Sequence, residues 1–217
     1  FNLVCCDREI LQGPAAVSLE HIYQLLRPSG GVAVINPQLA PGASSRPLRT
    51  WAKPIPSEAV HRFGPQGRRF VIRRTQLKTT GDWTHMYAGP ENTSCSQDQL
   101  VRGPLQLQWF GRPGPQDMVD RHHRTVPPLV VGGRMFLPGN NRILGVDAYN
   151  GTVLWRRSLA DFRRVGAMRD SGSMVATADT VYAVANKDCY LLSAATGKEV
   201  GKFSTPPRAD DQPRHWG

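Results

Sequence analysis

Hydrophobic and polar residues alternate along two stretches of the chain that match each other without a gap. The first stretch runs from Val131 to Arg157 and the second from Thr177 to Phe203, and 46 residues separate Gly151 from its counterpart Gly197. Alternation with a period of two predicts β-strands. An Asn-Gly and a Thr-Gly pair end at these glycines and predict hairpin turns, because glycine adopts a positive φ at little cost. A repeat of this length is typical of a four-stranded propeller blade.

A different pattern occupies residues 1–36. Asn2–Cys6 predicts a short strand, the apolar spacing after Pro14 predicts a helix, and Val32–Ile35 predicts the next strand. A strand–helix–strand unit of this length is typical of a parallel sheet with a right-handed crossover.

Proline-rich sequence follows over residues 37–66 and predicts an extended linker. A strand centred on Phe70 comes next, and short strands and turns dominate from Gly81 onward. We therefore predict three regions: an α/β part over 1–36, a linker over 37–66, and blades over 67–217.

The lengths of the apolar runs and the distribution of charge limit the classes of protein to which the chain can belong. No run of 18 apolar residues occurs, so no transmembrane segment is predicted. The net charge is +10, and part of the excess forms one run without an intervening acid: Arg62, Arg68, Arg69, Arg73, Arg74 and Lys78. Such a run suits either a nucleic-acid or anionic-lipid footprint or a solvated strand face. No nucleic-acid-binding motif accompanies it, which favours the solvated face.

The four cysteines form neither a CxxC pair nor a disulfide framework. This pattern predicts no zinc site and favours a reducing, cytoplasmic compartment. We interpret the vicinal pair Cys5-Cys6 as two small buried strand residues.

The first region resembles the C-terminal part of class I S-adenosylmethionine-dependent methyltransferases. Phe1–Asp7 matches that family's FDLV strand, and Leu25–Val32 matches its LRPGG turn with Ser29 as an extra residue. The resemblance implies a residue near Asp7 beside the reacting methyl group, although Asp7 also fits a plain charge at a strand end. The family's glycine-rich loop and second-strand acid do not occur in the chain. We therefore expect the chain itself to bind no S-adenosylmethionine, whereas a longer parent protein could.

Residues 81–204 resemble the pyrroloquinoline-quinone-like (PQQ-like) β-propellers, which include quinoprotein dehydrogenases and non-enzymatic assembly factors. Val146–Trp155 matches their A-x-D-x-x-T-G-x-x-x-W blade pattern, Leu192–Val200 is the second copy, and Gly81–Tyr87 is similar to their first strand. The resemblance implies structural roles for the blade signature residues Asp147, Gly151, Trp155 and Gly197.

The same resemblance implies which features a quinone-dependent enzyme of this fold would carry. Enzymes of this kind place a vicinal disulfide against the quinone and hold calcium with carboxylates. The Cys5-Cys6 pair lies outside the blades, and no acid cluster with suitable spacing accompanies the repeat. PQQ is therefore not expected here.

Candidate ligand-binding residues lie in the densest polar cluster. Asp120, His122 and His123 place imidazoles beside a carboxylate, a pairing that can bind a metal or move a proton. Adjacent histidines on a strand point to opposite faces, so one strand cannot offer both to one metal. We expect no metal site; the cluster is either structural or faces a propeller channel, where His85 could join it.

The predicted fold class is mixed: a Rossmann-like α/β remnant followed by all-β propeller blades that form an incomplete propeller. Exposed sheet edges and blade faces predict a fragment of a longer protein, whose remaining blades are its first partners. The expected function is a methyltransferase-like protein fused to a propeller that acts as a binding or scaffolding platform, with a further protein partner on its surface. Two alternatives stay open: a PQQ-dependent redox propeller, and a non-catalytic interaction protein with a degenerate methyltransferase part. Enzymatic activity is uncertain at this stage.

Overall fold

The computed structural model of the 217-residue chain describes residues 3–6, 18–35, 54–63, 69–111, 126–162 and 173–206. The chain divides into two compact units, Phe1–Lys78 and Thr79–Gly217. Each unit has its own hydrophobic core. The candidate residue Asp7 and the cluster Asp120, His122 and His123 lie outside the described residues.

The described residues of the first unit form one α-helix and one mixed sheet. Its strands lie in the order β1-β2-β4-β3. Strands β1 and β2 are parallel, while β4 pairs antiparallel with both β2 and β3. The elements are β1 (Leu3–Cys6), α1 (Leu19–Leu25), β2 (Val32–Ile35), β3 (Val60–Phe63) and β4 (Arg69–Arg73), with a 3₁₀ turn over Ser57–Ala59.

Helix α1 begins where Ser18 caps it, since the Ser18 side chain accepts a hydrogen bond from the His21 amide. Its buried side chains, including Leu19 and Ile22, share one core with Ile35 of β2 and with apolar residues of β4. Alternate residues of β2 are buried, which is the period that a strand packed on one face requires.

Two expectations for this region need correction. Cys5 is exposed rather than buried, because β1 is an edge strand and Cys5 does not join the core that packs under α1. Strand β4, expected to open the blade region at residue 67, instead pairs through Phe70–Arg73 with the whole of β2. Strand β3 lies inside the expected linker and pairs with β4. The second unit therefore begins at Thr79 rather than at residue 67.

In the second unit the described residues form two antiparallel four-stranded sheets in which consecutive strands are neighbours. We call them the first and the second blade. The first blade consists of β5 (Leu129–Val131), β6 (Arg134–Gly139), β7 (Arg142–Asp147) and β8 (Val153–Ser158). The second blade consists of β9 (Met174–Ala176), β10 (Thr180–Ala185), β11 (Asp188–Ser193) and β12 (Glu199–Ser204).

The repeat seen in the sequence is also a repeat of structure. The last three strands of the second blade, β10, β11 and β12, each begin 46 residues after their counterparts β6, β7 and β8 in the first blade. Both blades carry a register irregularity at the same place, between Gly145 and Val146 in β7 and between Leu191 and Leu192 in β11. Two consecutive antiparallel meanders of this form are consistent with propeller blades.

The two blades pack on each other through one shared core. The first blade contributes Phe136, Ile143 and Trp155, and the second contributes Val181 and Leu192, all of them buried. The segment expected to be the first strand of this region, Gly81–Tyr87, contains isolated bridges rather than a strand: Trp83 pairs with Val130 of β5, and His85 pairs with Ala88.

Candidate functional site

The contact between the blades centres on Trp155. Its indole Nε1 donates a hydrogen bond to the carbonyl oxygen of Ala194 in the second blade, at 3.0 Å. A Cβ added to Gly197 would lie 2.5 Å from Trp155 Cε3, so the ring covers the glycine closely. Trp155 is 7% exposed and belongs to the shared core. This side chain therefore fixes the hairpin turn of the second blade against the outer strand of the first.

A second tryptophan makes the same pair of contacts on the first blade. Trp109 Nε1 donates to the carbonyl oxygen of Ala148 at 2.9 Å, and a Cβ on Gly151 would lie 2.5 Å from Trp109 Cε3. Trp109 precedes Trp155 by 46 residues, which is the repeat length. The contact partners Ala148 and Gly151 precede Ala194 and Gly197 by the same interval.

The turns that receive these tryptophans have matching geometry. Gly151 has a φ of +72° and Gly197 a φ of +67°. The Gly151 amide donates to the Asp147 carbonyl, and the Gly197 amide donates to the Ser193 carbonyl, both at 2.8 Å. Asp147 is 2% exposed, and its Oδ1 accepts the Tyr149 amide at 2.9 Å. The four blade signature residues are thus arranged around turns and the blade contact.

Residues 81–88 run along the edge strands of both blades. Trp83 exchanges two backbone hydrogen bonds with Val130 of β5, at 2.7 and 2.9 Å. The next carbonyl, that of Thr84, accepts the amide of Ala176 in β9 at 3.0 Å. This segment therefore joins the edges of the two sheets at one place.

His85 is the candidate site residue that the structure places. It lies half-buried on this edge segment, and its Nδ1 is 2.7 Å from the Thr84 hydroxyl. Its amide donates to the Ala88 carbonyl at 3.1 Å, which holds the backbone in a tight turn. An imidazole and a hydroxyl in this position can offer hydrogen bonds to a polar ligand.

No group of three or more His, Cys, Asp or Glu residues that could hold a metal occurs within the part of the chain that the structure describes. Cys5, Cys95 and Cys189 are free thiols, and burial raises the pKa of the Cys189 thiol. No helix among the described residues is long and apolar enough to cross a membrane.

Part of the basic run has a structural use. The Arg74 guanidinium lies 4.3 Å from the centre of the Tyr23 ring, and its Nη1 donates to the Tyr23 carbonyl at 2.6 Å. Arg73, its neighbour, is exposed. Arg73 is the last residue of β4 and Arg74 follows it, so the two side chains point to opposite sides of the strand. Only Arg74 reaches helix α1.

No known protein family matches the chain, and no curated protein matches it. Solved structures that resemble part of the chain include BamB from Moraxella catarrhalis, with 20% identity over 40% of this chain and 26% of that one, and a TM-score of 0.32. Quinohemoprotein alcohol dehydrogenase from Comamonas testosteroni is 25% identical over 36% of this chain and 12% of that one, with a TM-score of 0.29. A europium-containing methanol dehydrogenase is 14% identical over 59% of this chain and 24% of that one, with a TM-score of 0.35.

These neighbours are β-propeller proteins, and the chain spans about a quarter or less of each of them. The TM-scores are low, so the assignment of the second unit to a β-propeller-like class rests on its own strand order and register.

Sequence reasoning missed two residues of the blade contact. Trp109 precedes Trp155 by the repeat length, and this interval is the signal that could have identified it. Gly145 stands at the alanine position that opens the A-x-D-x-x-T-G-x-x-x-W blade pattern. In the structure a Cβ on Gly145 would overlap the Trp155 indole at Cε2, so the absence of a side chain makes room for the ring.

Proposed function

We propose that the second unit is part of a β-propeller that serves as a binding or scaffolding platform for another protein. The observation that carries this proposal is the position of His85 and Thr84 on the segment that joins the edge strands β5 and β9. In a propeller the blades surround a central channel. A polar segment along the edges of two neighbouring blades is where a ligand or a partner loop entering that channel would meet the protein.

The chemistry of the described residues favours binding over redox catalysis. The side chains that the edge segment offers are the His85 imidazole and the Thr84 hydroxyl, which lie 2.7 Å apart. These groups suit hydrogen bonds to a partner. If Asp120, His122 and His123 face the same channel, they add charge to this surface.

A photo-reactive benzoylphenylalanine at position 85 tests this role in the full-length protein from its native host. We expect a covalent adduct with one defined polypeptide, and no adduct when the same group is placed at exposed Val101. The competing redox function is tested on the same protein by titration with PQQ and Ca²⁺. Quinone-dependent dye reduction with an alcohol, together with no adduct at position 85, would replace the platform by a dehydrogenase.

We further propose that the first unit is the C-terminal part of a methyltransferase-like α/β domain. The parallel pairing of β1 with β2 across α1 supports this proposal. The turn that resembles the family's LRPGG sequence is held firmly: the Ser29 and Gly30 amides donate to the carbonyls of Thr75 and Arg74. Ser29, the extra residue, has a φ of +58° within this turn.

Equilibrium binding of radiolabelled S-adenosylmethionine tests the second proposal. We expect no binding by the 217-residue chain and binding by the longer protein purified from its native source. If the longer protein does not bind either, the methyltransferase-like part is degenerate, and the protein is an interaction protein.

A further inference from the structure

Trp109 makes the same contacts with the first blade that Trp155 makes with the second. Trp155 reaches the second blade from β8, the outer strand of the first blade. Trp109 reaches the first blade through the same contacts, on Ala148 and Gly151. A side chain that contacts the next blade in this way belongs to the outer strand of the blade before it.

We infer that Leu105–Phe110 is the outer strand of a further blade whose three other strands are not among the described residues. This inference rests on the proposed propeller and specifies how its ring closes. The occupant of the free edge is a three-stranded antiparallel sheet of the same repeat type.

At the repeat interval Leu107–Phe110 falls on the first four residues of β8, with Leu107 at the place of Val153, while Leu105 falls on Gly151 in the turn before that strand. Val153 packs against the apolar cluster of its own blade, formed by Leu137, Leu144 and Val146. Leu107, in contrast, is 77% exposed. The segment therefore has the side chains of an outer strand without the sheet that such a strand covers.

The segment Leu105–Phe110 exposes large apolar side chains. Leu105 is 81% and Phe110 is 87% exposed, the highest values among the exposed large hydrophobic residues. Among the described residues no strand pairs with the segment. A single extended segment with unpaired amides and apolar side chains is a template for pairing with another sheet.

The first blade indicates what the occupant must present. Gly145 lies opposite Trp155 and leaves room for the indole. We therefore expect a glycine or another small residue opposite Trp109 in the third strand of the occupant. Beside it we expect apolar residues that match Leu144 and Val146, which would lie under Leu107.

Hydrogen exchange with site-resolved mass spectrometry, on the full-length protein from its native source, tests the inference. In the outer strand of a blade only one edge is paired, so alternate amides of Leu105–Phe110 should exchange at least about 100-fold slower than in an unstructured peptide. Slow exchange in β5–β12 with unprotected amides throughout Leu105–Phe110 would overturn the inference and leave the propeller intact. Fast exchange in both places would overturn the propeller as well.

Two variants and a concentration series identify the occupant. Leu107→Asn should abolish the protection of this segment, while the control Val101→Asn, at an exposed apolar residue outside it, should leave the protection unchanged. Protection should not depend on protein concentration. Protection that appears only together with a doubled native mass would assign the edge to a second copy of the chain and overturn the proposed blade.

Discussion

The indole ring of Trp155 lies directly over Gly197, with Cε3 2.5 Å from the point that a Cβ at this glycine would occupy. The two residues belong to different blades, and Gly197 has a φ of +67°. The glycine therefore meets two requirements at once: the backbone conformation of a hairpin turn and the close approach of a ring. A substitution at this position tests both.

Replacing Gly197 by Ala should destabilise the second unit by about 3 kcal/mol, since it combines left-handed backbone strain with overpacking against a buried ring. Urea unfolding followed by circular dichroism measures the change. Gly132→Ala is the matched control, because Gly132 also has a positive φ, +55°, but a Cβ there would have no neighbour within 4 Å. The control should cost about 1 kcal/mol, from backbone strain alone. Equal losses for the two variants would contradict the close contact with Trp155.

At equivalent positions of the two blades, a glycine lies opposite a large side chain, but the glycine is in the third strand of the first blade and in the fourth strand of the second. In the first blade Gly145 lies opposite Trp155, and in the second Leu191 lies opposite Gly201. We expect Gly145→Ala to destabilise the protein by about 2 kcal/mol, because the new methyl group would overlap the Trp155 indole. Gly201→Ala should change stability by less than about 0.5 kcal/mol, because its Cβ would lie 3.6 Å from Leu191 Cδ2, an ordinary contact.

A double-mutant cycle separates this clash from a general effect of alanine in the strand. In a Trp155→Leu background, Gly145→Ala should cost at least about 1 kcal/mol less than in the native background. Chemical denaturation of the four proteins measures the coupling. Additive effects would show that the indole is not the cause of the loss.

The blade region could be predicted from sequence to a large extent, because its elements repeat. The alternation around Gly151 and Gly197 predicted hairpins at positions where the structure has them, between β7 and β8 and between β11 and β12. The same reasoning failed at Trp83, where pairing with Val130 depends on the neighbouring sheet rather than on any local pattern.

Strand β4 shows why the boundary between the units was missed. Its sequence, Arg69–Arg73, reads as a strand, but nothing in it indicates the partner strand. The pairing of β4 with β2 joins segments that are distant in sequence, so the local sequence does not indicate it. The prolines before β3 suggested a linker, although β3 is a strand that completes the first sheet. The candidate cluster Asp120, His122 and His123 lies outside the described residues, so its place at the channel stays a prediction.

Arg74 should contribute to the stability of the first unit through its contacts with Tyr23. Arg74→Ala removes the stacking of the guanidinium on the ring and the hydrogen bond to the Tyr23 carbonyl. We expect a loss of about 1–2 kcal/mol, because the Arg74 side chain remains partly exposed. Arg73→Ala removes the same charge from an exposed position and should cost less than about 0.5 kcal/mol. Thermal or urea unfolding compares the two, and similar losses would mean that net charge, rather than the Tyr23 contact, is responsible.

The carboxylate of Asp188 gives the second unit a local dependence on pH. The Ser204 hydroxyl donates to Asp188 Oδ1 at 2.6 Å and, with a smaller contribution from Lys202, holds the pKa of Asp188 below its ordinary value. The ionised form is favoured in the folded protein, so its contribution to stability is present above the ordinary pKa and is lost as the pH falls through the depressed one.

Ser204→Ala should therefore raise the pKa of Asp188 toward its ordinary value, because the Ser204 hydrogen bond is the largest single cause of the lowered pKa, and Lys202→Met should raise it as well. Titration of the Asp188 carboxyl carbon by NMR measures both shifts. The acid side of the stability profile should become less steep in Ser204→Ala, because the folded and unfolded states then bind protons more alike. An unchanged Asp188 pKa in Ser204→Ala would show that the hydroxyl does not stabilise the carboxylate, and a larger shift in Lys202→Met would assign the effect to the ion pair across β11 and β12.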